Sequence, residues 1–559
     1  MITGLAAPVL SILGVTSVAF EHGFREPVAP DRFWWGVQSA VLLAFGITVL
    51  FLHEERSRAS RWATLALAAA GLVAVVLELA SAAHGSVYAA HACLVLLFCA
   101  EAWRMTAWLT RTMRNPSLLF PLSFFILIVV GTLVLHLPVS IEEGQSLSTL
   151  DAAFTMTSAV CVTGLAVKDT ATEFTPFGQF VIAAFIQLGG LGVIIFGATL
   201  ALLLGGRMSS GDTLTLSEAL EDVPAHRVAS FVRFIVICTL TVEMIGALAM
   251  MPLWHGDALT VQRRIGLSLF HSISAFCNAG FDITGSSMVP YRSSVLAHLV
   301  IAPLIVVGGI GFPVIHEIGG RAVRRWRARR SGQTVVFSPL SLHARLVLVT
   351  TLVLYLAGVA VIFFSQLAGG QVASAWTHLT DAHFMSISAR TAGFNVLPME
   401  DLGPGSRFGL MLLMLIGGSP GATAGGIKTV TLAVLVLSVI ATIRQRDETE
   451  AFERAIPDSI VRKAAAIAVC MFTLIGLATL ALSMTERARF EVIVFECVSA
   501  ATTTGLSLGL TGSLSPVGKA VIIVTMFLGR VGPLTLFAVL LRRAAVKRYQ
   551  YPHEQVMLG

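Results

Sequence analysis

Long uncharged apolar runs alternate with short polar connections along almost the whole chain. About 20 apolar residues suffice to cross a bilayer as a helix. Runs of that kind lie at 33–52, 63–82 and 87–109, after an apolar opening at 1–20. They are continuous rather than alternating, which selects helices over a β-barrel. From residue 116 onward, four apolar segments too short to span are set between spanning runs. The first reads Phe154-Thr-Met-Thr-Ser158-Ala159 and closes on Thr163-Gly164. Phe154 and Ser158 stand four apart and share a helix face. A short helix ending in Gly within a membrane protein predicts a re-entrant segment. Its non-helical backbone is tolerated at depth only where protein buries it or water reaches it.

The other three segments repeat this one. Phe270, Ser274-Ala275 and Gly280 form the second, Phe384, Ser388-Ala389 and Gly393 the third, and Phe495, Ser499-Ala500 and Gly505 the fourth. Successive glycines stand 116, 113 and 112 positions apart. Fixed spacing over four copies predicts a repeated structural unit. Each copy is followed by a glycine cluster in an apolar run: Gly189-Gly190, Gly308-Gly309, Gly417-Gly418 and Gly529-Arg530. The unit therefore reads as spanning helix, re-entrant helix, Gly turn, spanning helix. The expected organisation is 1–115, about four N-terminal transmembrane helices; 116–206 and 227–320, units one and two; 321–345, a basic cytoplasmic loop; 346–442 and 462–541, units three and four; and 542–559, a tail.

Composition supports the class. Of 559 residues, 55% are apolar and only 13% charged, as expected for an all-α polytopic membrane protein. The net charge of +6 matters less than where the arginines fall. Arg56, Arg58, Arg61, Arg111 and Arg114 flank the N-terminal runs, and further arginines gather at 321–330, 444–462 and 542–548. If each unit crosses twice, all of these lie on one side. By the positive-inside rule that side, and both termini, are cytoplasmic. Arg263, Arg264, Arg487 and Arg489 are exceptions on the outer side. Arg104, Arg111 and Arg114 lack the regular spacing of a voltage sensor. The seven cysteines form no CxxC pair, and no disulfide framework is expected.

The chemistry expected of the turns is that of backbone. A helix C-terminus presents about half a negative charge, and Gly lets carbonyls be aimed where a β-carbon would clash. Rings of carbonyls can replace the hydration shell of a cation such as potassium. The expected ion-binding residues are Val162, Thr163, Gly164 and Leu165; Asn278, Ala279, Gly280 and Phe281; Thr391, Ala392, Gly393 and Phe394; and Thr503, Thr504, Gly505 and Leu506. The stretch Gly417, Gly418, Ser419, Pro420, Gly421, Ala422, Thr423, Ala424, Gly425, Gly426, Ile427, Lys428 interrupts the last run of unit three. A helix through five glycines and a proline costs roughly 1 kcal/mol per Gly and 3 for Pro. A non-helical gate is expected there, held by Arg530, whose five donors suit freed carbonyls. Glu496, His271 and His383 lie in the short helices, where hydrogen bonding behind the turns is the expected role, and Lys168 is expected on the surface just outside turn one. Glu78, His84, His91 and Glu101 lack metal-ligand spacing, so no transition-metal site is expected. No intramembrane cluster suggests an enzyme, and four same-direction units disfavour the inverted halves of a secondary transporter.

The segments VCVTGL, CNAGFD, RTAGF, TTTGL, IQLGGLG and GGSPGATAGGIKT, in this order, resemble the Trk/Ktr/HKT superfamily of potassium transporters, in particular the bacterial TrkH/KtrB-type pore subunits. The resemblance covers about 117–541 and leaves 1–115 outside. It implies four M1–P–M2 pore repeats in one chain, potassium as the transported ion, and no cofactor in this chain. It also implies a homodimer in the bacterial cell membrane and a cytoplasmic ring of nucleotide-binding regulatory subunits. No nucleic-acid partner is expected. In the resembled family, Ser at the first turn accompanies sodium permeability, so Gly at all four turns leads to an expected preference for potassium.

Overall fold

The structure, a computed structural model, describes residues 6–24, 26, 28–51, 58–81, 86–112, 119–192, 228–254, 260–331, 339–369 and 374–532. Its first helices are α1 (Ala6–His22), α2 (Asp31–Phe51), α3 (Arg58–Ser81) and α4 (Ser86–Thr112). Each packs on the next, and α1 packs on α4, closing the bundle. Leu42, Phe45, Val75 and Leu94 belong to a core that these helices keep to themselves.

Four stretches with a common order of elements follow. The first contains α5 (Leu119–Leu135), the short α6 (Thr149–Val160) and α7 (Pro176–Leu191). The second contains α8 (Val228–Met250), α9 (Val261–Cys277) and α10 (Ala302–Ile310), the last led in by a π turn at Ala297–Ile301, and continues into α11 (Phe312–Ser331). The third contains α12 (Leu342–Ala368), α13 (Ala375–Ser388), α14 (Pro404–Leu415) and α15 (Thr429–Ile443). A small antiparallel hairpin, β1 (Thr449–Ala451) with β2 (Arg454–Ile456), leads to the fourth stretch. That stretch contains α16 (Asp458–Thr485), α17 (Phe490–Thr502) and α18 (Pro516–Val531).

Local chemistry sets the starts of these helices. Ser148, Thr175, Thr260, Ser374 and Ser515 each accept a hydrogen bond from a backbone N–H three residues on, which satisfies one of the four orphan donors of a helix N-terminus. Pro176 and Pro516 occupy first-turn positions, where no donor is needed.

The packing is cyclic. The helix after each turn lies against the short helix of the next stretch: α7 on α9, α10 on α13, α14 on α17, and α18 back on α6. The aromatic marks Phe154, Phe270, Phe384 and Phe495 are all buried in one large central core. Among the described residues, five helices are long and apolar enough to cross a membrane: Asp31–Phe51, Arg61–Glu78, Val228–Leu253, Leu342–Ala368 and Asp458–Thr485.

Two expectations are corrected. The run after each turn is not one continuous spanning helix. α7, α10 and α18 all end at a glycine with positive φ, Gly192 (+82°), Gly311 (+92°) and Gly532 (+89°), and the α10–α11 axis bends there by 102°. A φ in that range suits Gly alone at low cost, so the clusters terminate helices rather than merely letting helices pack. Second, Arg321–Arg330 are not in a loop but on α11, beyond the bend and mostly exposed. The expected segments at 193–227 and 542–559 lie outside the described residues.

Candidate functional site

At the C-terminal end of each short helix the backbone makes the same two departures from right-handed geometry. A residue two before the glycine is left-handed: Val162 (φ 58°), Asn278 (59°), Thr391 (66°) and Thr503 (52°). The glycine itself follows with φ of 91°, 68°, 82° and 92° for Gly164, Gly280, Gly393 and Gly505. Non-glycine residues in this region are uncommon, and each costs about 1–3 kcal/mol unless its surroundings hold it.

The four turns meet. A β-carbon on Gly164 would stand 2.4 Å from the Ala279 carbonyl oxygen, one on Gly280 2.8 Å from that of Ala392, one on Gly393 2.5 Å from that of Thr504, and one on Gly505 2.2 Å from that of Thr163. Each glycine thus abuts the carbonyl that precedes the next stretch's glycine, and the series closes from fourth to first. All twelve non-glycine residues among the sixteen expected ion-binding positions bury their side chains. What remains to face a common axis is backbone, gathered from the four positions that the sequence singles out.

The serines of the repeat hold these turns. Ser158 Oγ accepts from Gly164 N and Ser499 Oγ from Gly505 N, both at 3.0 Å. Ser274 Oγ donates to the Phe281 carbonyl at 2.7 Å, and Ser388 Oγ to that of Phe394. The serine carbonyls also take backbone N–H groups from the turn, such as Thr163 N at 2.7 Å and Ala279 N at 2.7 Å. The serines were marks of the repeat without an assigned role; their regular recurrence was the signal.

The expected gate is non-helical from Ile416 to Lys428; it contacts the second and fourth stretches directly and is linked to the first through Arg530. Arg530 donates from Nη1 to the Thr423 carbonyl and from Nη2 to that of Gly189 at 2.8 Å. Arg390 Nη2 donates to the Gly417 carbonyl at 3.0 Å, and Lys428 Nζ to that of Ala424 at 2.6 Å. Thr423 Oγ1 reaches the Phe276 and Gly308 carbonyls at 3.2 Å, and Ser419 N that of Gly309 at 2.9 Å. Pro420 and Gly421 face the break at Gly311, and Gly425 lies against Thr502 and Thr503. A β-carbon on Gly418 would stand 2.6 Å from that of Ala424 and 3.4 Å from that of Ala422, while Gly426 turns with φ +68° beside Gly417. A kinked helix with Arg530 extended to solvent is therefore not what forms: the arginine bonds one carbonyl of the loop, Thr423, and one near the end of α7, Gly189.

Other expected residues find plain partners. Glu496 accepts from Ser507 Oγ at 2.6 Å and from Thr511 Oγ1, behind the fourth turn. His271 bonds the Leu267 carbonyl at 2.7 Å, and His383 bonds Tyr355 Oη at 2.8 Å. Lys168 is paired with Glu173 at 3.2 Å. Glu78 accepts from Ser86 N at 3.1 Å, at the start of α4.

Four polar links between stretches were not anticipated. Arg263 Nη1 donates to Gln179 Oε1 at 3.0 Å, joining the second stretch to the first. Arg292 forks onto Asp381, its Nε at 2.9 Å, joining second to third. Arg407 stands 3.8 Å from Glu491, joining third to fourth. Lys519 donates to Asp151 at 2.6 Å, joining fourth to first. Pairs 84 to 368 residues apart carry no signal in local spacing.

Residues 84–548 match the family model for TrkH, described as a cation transport protein. The match begins upstream of the motifs, so residues 84–115, which the motif resemblance leaves outside, fall within it. The chain is 36% identical over 453 residues to the Ktr system potassium uptake protein B of Bacillus subtilis, covering 80% of this chain and 97% of that protein. It is 35% identical over 457 residues to the potassium/sodium uptake protein NtpJ of Enterococcus hirae, covering 80% and 98%. Among solved structures it resembles the potassium transporter TrkH from Vibrio parahaemolyticus, with a TM-score of 0.62 at 20% identity, over 86% of this chain and 97% of that one. That last likeness is one of fold.

Proposed function

Since the chain belongs to the TrkH family of cation transport proteins, we propose that it takes up potassium through a pore formed by four M1–P–M2 repeats. The single observation that carries this reading is the closed ring of Gly164, Gly280, Gly393 and Gly505 against one another's carbonyls. Dehydrated potassium is coordinated by the backbone oxygens of that ring. The C-terminal ends of α6, α9, α13 and α17 add their partial negative charge. No covalent chemistry is involved, and the chain carries no cofactor of its own.

The loop from Gly417 to Lys428 is the gate beneath this filter, with Arg530 as its latch and as a positive charge opposing ion passage. The protein is a multi-pass component of the cytoplasmic membrane with both termini inside. It works as a homodimer on a nucleotide-binding regulatory ring, for which the arginines of α11 offer a docking face.

A sodium-permeable pore is the second reading, favoured by the name of the Enterococcus relative. Uptake-deficient cells expressing the chain should grow at limiting potassium, and potassium flux should exceed sodium flux. Equal fluxes of the two ions would replace the first reading with the second. Recovery only as a monomer in mild detergents, with no nucleotide-binding partner, would remove the assembly from the proposal while leaving the pore.

A further inference from the structure

The outer end of the N-terminal bundle joins three metal-ligating side chains from two helices. Glu21 and His22 end α1, and His91 lies in the second turn of α4. One ligand atom from each lies within 4.8 Å of the others. Glu21 Oε2 is 3.1 Å from His91 Nε2, and Glu21 Oε1 is 3.8 Å from His22 Nε2. The two imidazoles meet edge to face, with centroids 4.9 Å apart.

A carboxylate buried to 2% exposure needs partners, and Glu21 has them. Trp35 Nε1 donates to Oε1 at 2.9 Å, and Gln38 Nε2 to Oε2 at 2.6 Å. A single His91–Glu21 hydrogen bond explains those two residues alone. His22 turns its ring nitrogen to the same carboxylate at 3.8 Å, within ion-pair reach but too long for a hydrogen bond, while its ring stacks on Tyr88 with centroids 6.3 Å apart. Each carboxylate oxygen has two acceptor sites. The indole and the amide take one apiece and leave one on each oxygen directed toward the imidazoles. Donors of this kind from a neighbouring helix are what orient a metal-binding carboxylate.

We propose that Glu21, His22 and His91 bind a borderline divalent transition-metal ion of the zinc type. Zinc bonds imidazole nitrogen at about 2.0–2.1 Å and carboxylate oxygen at about 2.0–2.2 Å, so tetrahedral ligand pairs stand roughly 3.3–3.5 Å apart. The spacings of 3.1 Å from Oε2 to His91 and 3.8 Å from Oε1 to His22 lie on either side of that value, and the set of three, spread over up to 4.8 Å, draws in by rotamer changes to close on one ion. Two imidazoles and one carboxylate suit zinc better than magnesium or calcium, which prefer all-oxygen sets. His22 is half-exposed and gives the ion its path from solvent and a fourth position for water. The carbonyl of the next residue, Gly23, accepts from Val139 N at 3.1 Å, in the connection from α5 to α6. A bound ion therefore ties the N-terminal bundle to the approach to the first filter turn.

The test uses the purified full chain, stripped with chelator and titrated with Zn²⁺ alone by calorimetry, and separately with Co²⁺ followed by its visible absorption. One ion per chain and a visible band of tetrahedral cobalt are expected. His22→Ala, at a half-exposed ring, removes a ligand and should weaken binding by at least about 10-fold, the lower bound for loss of an outer-shell partner alone; His22→Ala/His91→Ala should abolish it. Unchanged stoichiometry and affinity in His22→Ala, or no bound Zn²⁺ at sub-millimolar concentration in the unmodified chain, overturns the site.

Discussion

Gly505 has the least room of the four turn glycines. A methyl group there would stand 2.2 Å from the Thr163 carbonyl oxygen, at a φ of +92°. Both the contact and the backbone angle oppose any larger residue. Gly505→Ala is expected to reach the membrane yet lose at least tenfold in potassium flux, because the displaced atom is itself a proposed ion ligand. Gly164→Ser should leave transport but reduce the preference for potassium over sodium. A radiotracer comparison of both ions reads the two variants together; wild-type flux in Gly505→Ala would argue against the ring as the ion path. Ser499 works at the same scale. Ser499→Ala leaves the Gly505 N–H without its 3.0 Å acceptor, at a cost of about 1–3 kcal/mol. The melting temperature should fall and selectivity should relax, whereas a loss of stability alone would assign Ser499 to packing.

At the scale of elements, the loop between α14 and α15 is stitched to its surroundings largely through its own backbone. The side chains of Arg530, Arg390 and Lys428 all end on its carbonyls. Arg530 also holds the Gly189 carbonyl of the first stretch, so one side chain couples loop and opposite wall. Arg530→Ala frees both oxygens, and shortening the loop removes the proposed obstruction; both variants should raise flux at equal membrane expression and blunt control by any regulatory partner. Unchanged flux in both would leave the loop as structure alone. Helix ends follow the same economy. The first glycine of each cluster in stretches one, two and four lets its helix touch the end of that stretch's short helix: a β-carbon on Gly189, Gly308 or Gly529 would stand 1.9, 1.9 or 2.1 Å from the Val160, Phe276 or Ala501 carbonyl oxygen.

For the whole molecule, the four polar links join the stretches in a closed series, and Lys519–Asp151 is its closing joint between the fourth stretch and the first. Burial by itself would push the Asp151 carboxyl up, but hydrogen bonds to Lys519 and Ser148 and the nearby positive charge outweigh it and hold the group below its ordinary value of 3.8. A depressed carboxyl stabilises the fold fully above its ordinary value, and the contribution is lost as pH falls through the folded one. Stability should therefore drop below about pH 4 in the unmodified chain, and Asp151→Asn should flatten that part of the profile. A double-mutant cycle with Lys519→Met should give a coupling of about 0.5–3 kcal/mol. A coupling near zero would make the joint incidental.

The sequence by itself determined the class, the four short helices, the glycine at each turn and the breach of the third stretch's last helix. Each is local: apolar length selects a helix in lipid, glycine permits positive φ, and glycines with a proline deny helix. Repetition added what no single copy could, since Phe154, Ser158 and Gly164 are informative only beside their three counterparts. The tertiary structure decided which groups meet. That Ser274 donates while Ser158 accepts depends on how each turn is presented, and residue type does not fix it. The pairing of Arg263 with Gln179 or Lys519 with Asp151 depends on the cyclic order of the stretches, which charge counting cannot supply; the same arginine read as a breach of the positive-inside rule is a strut between stretches. The breaks at Gly192, Gly311 and Gly532 also escaped the sequence, because a glycine cluster in an apolar run serves equally for close packing or for ending a helix. Only the backbone angle separates the two. His91 shows the same limit: its partners are Glu21 and His22, some seventy residues away, brought to it by the packing of α1 on α4.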